Sequence, residues 1–294
     1  MTAELKIGRR EVRVTHEDRV MFPEAGLTKL DLARHYERVA PAMLPHVRDR
    51  PLALQAFPDG IEGHGYFMKA VPRYFPAWIK RATVGKKGGT ITHVLAQDAA
   101  TLVYLAGQNV VTLHTWLSRA DQPLKPDRLT LDFDPSGGGF AEVRAAARAA
   151  GERLRDLGLV PFAMTTGSRG LHVVCPLRRG PDFSEVHGFA RALAEAMVAD
   201  DPRHLTLEWH KAERGDRIYV DVNRIAYAQH AVAPYSVRPR AKAPIAVPLR
   251  WEELSNQSLR PDGWTVENVG ERVEAGDPWE GMSRRARALP KKTP

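Results

Sequence analysis

The chain has 294 residues, of which 43% are hydrophobic, and its 43 lysine and arginine residues outnumber 35 aspartate and glutamate residues, for a formal net charge of +8. This apolar content is enough for a sizeable core in one large domain or two intimate modules, and the basic excess suits a polyanionic partner. The one cysteine, Cys175, excludes an intramolecular disulfide framework. Because the sequence shows neither a membrane-spanning apolar run nor a signal peptide, we expect a cytoplasmic protein.

Signals for helices and strands alternate along the chain. Thr28 is a plausible N-cap, and helices are predicted over residues 28–40, 98–107, 140–157 and 183–198. Strands are predicted over residues 51–56, 91–95, 129–134, 171–175 and 217–222. Two stretches resemble linkers, Pro234–Pro248 and a basic C-terminal tail that we expect to be disordered. The alternation favours an α+β fold with a mixed or antiparallel sheet covered on one face.

Two of the predicted strands carry acidic residues on their polar face. Asp132 and Asp134 alternate with apolar residues in the first strand, and Asp221 does so in the second. If the strands are neighbours, the three carboxylates form a cluster that repels itself unless cations occupy it. Mg²⁺ and Mn²⁺ fit such oxygen ligands, and the arrangement is typical of two-metal phosphoryl or nucleotidyl transfer.

A simpler interpretation also applies to the first acidic pair. The Asp-Pro-Ser-Gly sequence that begins at Asp134 is turn chemistry, so the pair could mark a strand that runs into a turn. Between the acidic strands, however, lies the glycine- and hydroxyl-rich segment 165–170, whose backbone amides and Arg169 can approach a phosphate. His172 follows in a strand and should leave the core face beside the carboxylates. This combination favours the metal-site interpretation.

Arginines cluster around the second acidic strand. Those before and after Asp221 are Arg214, Arg224, Arg238 and Arg240. A forked guanidinium suits a triphosphate, although a solvated basic surface explains any one of them equally well. Arg238 and Arg240, two residues apart on a predicted extended segment, should share one face and one anionic target.

Three motifs together resemble a known family. They are Leu-Asp-Phe-Asp-Pro at 131–135, Thr-Thr-Gly-Ser-Arg-Gly-Leu-His-Val at 165–173, and Val-Asp-Val-Asn-Arg at 220–224 with Ala-Pro-Tyr-Ser-Val-Arg-Pro-Arg at 233–240. The set resembles the polymerase domain of bacterial ATP-dependent DNA ligase D, in the archaeo-eukaryotic primase superfamily. The resemblance extends over nearly the whole chain, and we expect a free-standing version without ligase or nuclease domains.

The resemblance implies roles for individual residues. Asp132, Asp134 and Asp221 would hold two divalent ions, Mn²⁺ or Mg²⁺. The residues implied to bind the incoming nucleotide are His114, Thr166, Arg169, His172, Arg214, Arg224 and Arg238. Those implied to bind DNA are Arg19 and Lys29, at the 5′-phosphate across a gap, Tyr66 and Phe67, against template bases, and Arg240.

Two positions depart from the family pattern. The family usually has Ser where this chain has Thr166, and Lys where it has Arg169. The threonine keeps the hydroxyl and adds a methyl group, and the arginine keeps the charge on a wider head. Both changes should weaken or reshape nucleotide binding without abolishing it.

The resemblance also implies a fold and a domain plan. We expect a primase-polymerase catalytic core with an RRM-like mixed sheet, packed with an N-terminal α/β module. The whole chain would form one catalytic unit, with an N-terminal module at about residues 1–125, a catalytic module at about 126–254 and a C-terminal extension at about 255–294.

The function implied is template-directed nucleotidyl transfer in DNA repair, by end joining or excision repair. Ribonucleotides should be preferred, and the substrate should be gapped or broken duplex DNA with a 5′-phosphate. A Ku-type end-binding protein and a separate DNA ligase are the expected partners, no membrane is involved, and the protein should lie near the nucleoid. The alternatives are a primase that starts chains de novo and a non-catalytic module that binds DNA ends.

Overall fold

The computed structural model describes residues 1–292. Its strands are β1 (Thr2–Ile7), β2 (Arg10–Thr15), β3 (Val20–Phe22), β4 (Leu27–Thr28), β5 (Leu52–Ala56), β6 (Tyr66–Met68), β7 (Arg81–Lys86), β8 (Gly89–Val94), β9 (Val110–Trp116), β10 (Arg128–Pro135), β11 (Phe162–Thr165), β12 (Leu171–Pro176), β13 (Leu205–Thr206), β14 (Ile218–Asp221), β15 (His230–Val232) and β16 (Pro248–Leu249). Its α-helices are α1 (Lys29–Val47), α2 (Ala99–Gly107), α3 (Phe140–Asp156), α4 (Phe183–Asp200), α5 (Lys211–Arg214) and α6 (Val269–Glu274). Two 3₁₀ helices span Trp251–Ser255 and Met282–Arg285.

The chain forms two compact units from interleaved segments. Unit 1 contains Met1–Trp116, His230–Ala246 and Trp264–Asp277. Unit 2 contains Leu117–Gln229, Val247–Gly263 and the residues from Pro278 onward. Since compactness assigns no function, the three consecutive modules expected from the sequence stay a prediction.

Unit 1 contains a four-stranded antiparallel sheet in the order β15-β9-β5-β6 and the hairpins β1-β2, β3-β4 and β7-β8. Helices α1 and α2 pack against each other. The start of α1 follows from a capping box, in which Thr28 Oγ1 accepts a hydrogen bond from Asp31 N at 3.2 Å and the Asp31 carboxylate accepts one from Thr28 N at 2.8 Å.

Helix α1 continues to Val47 and does not end near Ala40 as predicted. Pro41 and Pro45 lie inside the helix and each removes one helical N–H group, but Met43 and Val47 are fully buried. Burying such side chains stabilises the fold by about 1.5–3 kcal/mol each, enough to offset two missing hydrogen bonds.

Unit 2 is built on a six-stranded sheet in the order β13-β14-β10-β12-β11-β16. All its pairs are antiparallel except the parallel pair β13-β14, so the sheet is mixed. Helix α3 packs on β10 and β12, and α4 packs on β10, where Leu131 and Phe133 are fully buried. The predicted α+β fold with a mixed sheet is confirmed. Within residues 1–292, no helix is long and apolar enough to cross a bilayer.

Two stretches predicted to be linker-like or disordered are ordered. Most of Pro234–Pro248 is buried, and the Ile245 N–H donates to the Trp264 carbonyl at 2.8 Å. In the basic tail the Arg178 N–H donates to the Arg287 carbonyl at 2.7 Å. Local composition was misleading because these backbone groups are satisfied by distant segments.

Candidate active site

The register of the unit 2 sheet places the three predicted carboxylates on one face. In the antiparallel pair β10-β14, Asp132 lies opposite Asp221, and Asp134 lies opposite Tyr219. In β12, His172 lies opposite Asp132. Because alternate residues share a face and opposed residues point the same way, these five side chains form a single polar surface, here called the carboxylate face. The two acidic strands are therefore neighbours, as the metal-site interpretation requires.

Electrostatic repulsion is built into the carboxylate face. Burial raises the pKa of Asp134, and the charges of Asp132 and Asp221 raise it further, while the Arg169 and His172 charges partly oppose the change. His172 Nε2 lies 3.4 Å from Asp132 Oδ1. Such a face gains stability from any cation that binds it.

Asp221 is held in place by its own loop. Its side chain is almost fully buried, and Oδ1 accepts a hydrogen bond from the Asn223 N–H at 2.8 Å. Its other oxygen lies 3.4 Å from Arg224 Nε, on a half-exposed side chain. Asn223 Nδ2 also donates to the Tyr219 hydroxyl at 2.8 Å. The loop after β14 thus fixes the orientation of the carboxylate.

The donor chemistry of the carboxylate face fits hard divalent cations, since it offers oxygen ligands and open solvent positions. Within the described residues, however, no three His, Cys, Asp or Glu side chains converge closely enough to enclose an ion. The carboxylates therefore share a face without forming a closed coordination shell.

The glycine-rich turn at 166–170 is fixed next to these carboxylates. Thr166 Oγ1 accepts a hydrogen bond from the Gly170 N–H and donates one to the Gly170 carbonyl, both at 3.2 Å. Gly167 adopts φ +63°, a left-handed conformation that glycine tolerates best. A Cβ on Gly170 would lie 2.2 Å from the Phe133 carbonyl oxygen. The turn exposes Arg169, whereas the Thr166 hydroxyl holds the turn closed.

Arg214, which the sequence assigned to the nucleotide, has structural partners. Its side chain is buried, and it donates to the carbonyls of Glu208 at 2.8 Å and Trp209 at 2.7 Å. Its guanidinium carbon also lies 3.8 Å from the centroid of the Tyr219 ring. Arg214 therefore orders the segment that precedes β14.

The sequence alone does not single out Tyr219, Asn223 or Trp209 as site residues. The two-residue periodicity that places Asp221 on the polar strand face also puts Tyr219 there, so that signal was present. Asn223 is recognised only through its hydrogen bonds, and Trp209 only through its exposure.

Unit 1 holds the remaining predicted residues. His114 lies in β9, with its ring centroid 5.4 Å from that of Phe67 and 5.0 Å from that of His230. Tyr66 and Phe67 lie on the edge strand β6 and are about half exposed. This leaves an aromatic surface at the edge of the unit 1 sheet.

The two predicted 5′-phosphate residues have different environments. Lys29 is only 2% exposed, and its Nζ donates to the Thr15 carbonyl at 2.8 Å. Burial, assisted by the charge of Arg19, lowers the pKa of Lys29. Arg19 is about one-third exposed and contacts the Pro58 carbonyl oxygen, with Asp59 at 4.0 Å. The side chain open to a ligand is therefore Arg19.

The prediction that Arg238 and Arg240 share an extended face is wrong. The Arg240 N–H donates to the Arg238 carbonyl at 2.8 Å, which closes a three-residue turn. Pro239, at the centre, has a fixed φ that favours such a bend. Arg240 is exposed and Arg238 is half-buried.

A family model described as LigD, primase-polymerase domain, matches residues 28–279. The chain belongs to this family. It is 32% identical over 260 residues to the multifunctional non-homologous end joining protein LigD of Mycobacterium bovis, covering 85% of this chain and 34% of that protein. It is 31% identical over 273 residues to the LigD protein of Pseudomonas aeruginosa, covering 91% of this chain and 32% of that protein.

The LigD fold is also found among solved structures. The polymerase domain of Mycobacterium tuberculosis ligase D, in complex with DNA, matches with a TM-score of 0.87 and 30% identity. The match covers 93% of this chain and 98% of that one. The chain spans about a third of the length of the Mycobacterium and Pseudomonas LigD proteins. The expected resemblance is thus confirmed.

Proposed function

We propose that this LigD-family protein is a template-directed nucleotidyltransferase that extends a 3′ end at gaps or breaks in duplex DNA. The observation that carries the proposal is the carboxylate face, where Asp132 and Asp221 lie opposite each other with Asp134 on the same strand face. Family membership supports it, and so does the relative that was solved in complex with DNA.

The proposed roles follow from the position of each side chain. Asp132, Asp134 and Asp221 would hold two divalent ions, which, when bound, lower the pKa of the attacking 3′-hydroxyl and neutralise phosphate charge. Exposed Arg169 and half-exposed Arg224 would bind triphosphate oxygens. His172 restrains Asp132, and Arg214 positions the segment before β14.

Several finer assignments rest on the family resemblance. We propose that ribonucleotides are preferred, with His114 as the candidate that recognises the 2′-hydroxyl, and that Arg238 contacts nucleotide. A site that hydrogen-bonds a hydroxyl rejects analogues that lack it, because a polar group is then left unpaired. A Ku-type end-binding protein and a separate ligase are the proposed partners.

The test uses a gapped duplex with a 5′-phosphate, Mn²⁺, and each NTP or dNTP in turn. Wild-type protein should extend the primer, with NTPs used better than dNTPs. Asp134→Ala should reduce extension by orders of magnitude, because it removes a ligand of the metal ions that would stabilise the charge developing in the transition state. The variant should retain its affinity for DNA. Asp262→Ala, an exposed carboxylate elsewhere in unit 2, is the matched control.

Four outcomes would contradict parts of the proposal. Wild-type-like extension by Asp134→Ala would reject the carboxylate assignment. A preference for dNTPs in the wild type would reject the proposed sugar specificity. Extension on an unprimed template would point to de novo priming, and binding without any extension would point to a non-catalytic DNA-end module.

A further inference from the structure

Trp209 is an exposed indole beside the carboxylate face. It exposes 61% of its surface, although large aromatic side chains are mostly covered in folded proteins. It follows the edge strand β13, which runs parallel to β14 with Thr206 opposite Tyr219. The Trp209 and Tyr219 ring centroids are 6.3 Å apart, edge to face. Because Tyr219 lies opposite Asp134, Trp209 stands one strand away from the carboxylates.

The backbone that carries Trp209 is held while its ring is left uncovered. The buried Arg214 donates to the Trp209 carbonyl and to the carbonyl of the preceding Glu208. Arg214 is itself stacked on Tyr219. A ring presented from an ordered backbone loses less conformational freedom when a ligand covers it.

The chemistry around the ring indicates the ligand. Every nucleobase has a π-face, and stacking on an aromatic side chain is a sequence-tolerant way to hold one. Lys211, two residues along the chain, is exposed and offers a cation for a backbone phosphate next to the stacked base. A base with a backbone phosphate beside it is the repeating unit of a nucleic-acid strand.

We propose that Trp209 is a stacking platform for an unpaired nucleobase of the DNA strand bound at the carboxylate face. The inference rests on the proposed function, because it assumes that DNA reaches this face. It adds a base contact beside the carboxylates proposed to hold metal ions and the arginines proposed to bind phosphate.

The experiment compares a duplex with a short single-stranded overhang and the same duplex with abasic sugar-phosphates in the overhang. Trp209→Leu should bind the normal overhang roughly 5- to 100-fold more weakly than wild type, the range expected for one lost stack. Its affinity for the abasic overhang should match that of wild type. Trp209→Phe should retain most of the affinity, and Leu124→Ala, equally exposed at 61% in unit 2, should change nothing.

Two results would overturn the inference. The first is a Trp209→Leu protein that binds both overhangs as wild type does, or loses affinity for both equally. The second is quenching of Trp209 fluorescence by NTP alone as strongly as by the overhang, with Trp209→Phe as the subtraction control, since the base would then belong to the incoming nucleotide. These measurements require no catalysis, so a wild type that stacks DNA but extends no primer would reject the proposed function alone.

Discussion

Two arginines near the carboxylate face have different environments despite the same chemistry. Arg214 is buried, and its guanidinium is committed to two carbonyls and the Tyr219 ring. Arg169 is exposed at the tip of the 166–170 turn, close enough to influence the pKa of Asp134. Only the exposed guanidinium is positioned to exchange water for phosphate oxygens.

Arg169→Ala should therefore act on nucleotide affinity. We expect the apparent KM for NTP to rise roughly tenfold, the low end for a charge-assisted hydrogen bond, because solvent screens an exposed site. Arg169→Lys should recover part of the loss. Arg179→Ala, which breaks an exposed pair with Asp121, is the control. An unchanged KM with weaker DNA binding would move Arg169 to the DNA channel.

At the scale of single residues, the sequence predicted the strand face of a side chain better than its contacts. The two-residue period was sufficient to place Asp132, Asp134 and Asp221 on a polar strand face. It could not show that Lys29 is buried, since the partners of its ammonium are the carbonyls of Thr15 and Gly107, distant in the sequence. Local sequence patterns indicate the strand face on which a side chain lies, whereas its burial depends on which segments of the chain pack together.

The 166–170 turn depends on the absence of a side chain at Gly170. Gly170→Ala should shift the turn away from β10, because its Cβ would overlap the Phe133 carbonyl oxygen at 2.2 Å. Overpacking of this kind costs about 1–3 kcal/mol, so we expect a lower denaturation midpoint and a strong loss of extension. Gly188→Ala in α4 has nothing within 4 Å of its Cβ and should stabilise the protein by about 0.5–1 kcal/mol. Equal stability of the two variants would contradict this account.

The buried His35 of helix α1 should make unit 1 less stable at acidic pH. His35 is buried, with Nε2 3.1 Å from the Tyr235 carbonyl, and burial lowers its pKa to about 4. An unfolded histidine titrates near 6.5, so the unfolded state takes up a proton first as pH falls. The stabilisation that depends on neutral His35 is complete above about pH 6.5, and it is lost as the pH falls from there to about 4.

The expected contribution of His35 is a loss of about 2 kcal/mol between pH 7 and pH 5. Urea unfolding of wild type and His35→Gln at both pH values isolates it, because other titrating groups cancel in the comparison. The variant should be less stable at pH 7 and should lose less stability on acidification. A pH dependence identical to that of wild type would show that folding does not lower the pKa of His35.

At the scale of the whole molecule, an acidic surface lies on a basic protein. The net charge of +8 favours encounter with polyanions at long range, whereas the three clustered carboxylates favour cations at short range. The sequence revealed both features through composition and strand periodicity. It did not reveal that the compact units draw on interleaved segments, because which segments meet is decided by long-range packing.

The 5′-phosphate contact that the family resemblance implies for unit 1 is best tested through Arg19. Lys29→Ala would remove a buried ammonium and its hydrogen bonds to two carbonyls, so lost stability would obscure lost binding. Arg19→Ala should abolish the preference for a phosphorylated gap over an unphosphorylated one, which we expect to be roughly tenfold in the wild type at low salt. Because screening weakens exposed contacts, the wild-type preference should shrink as salt rises. Arg13→Ala, exposed and paired with Glu4, should keep the preference, and a wild type that binds both gaps equally at low salt would exclude a phosphate pocket here.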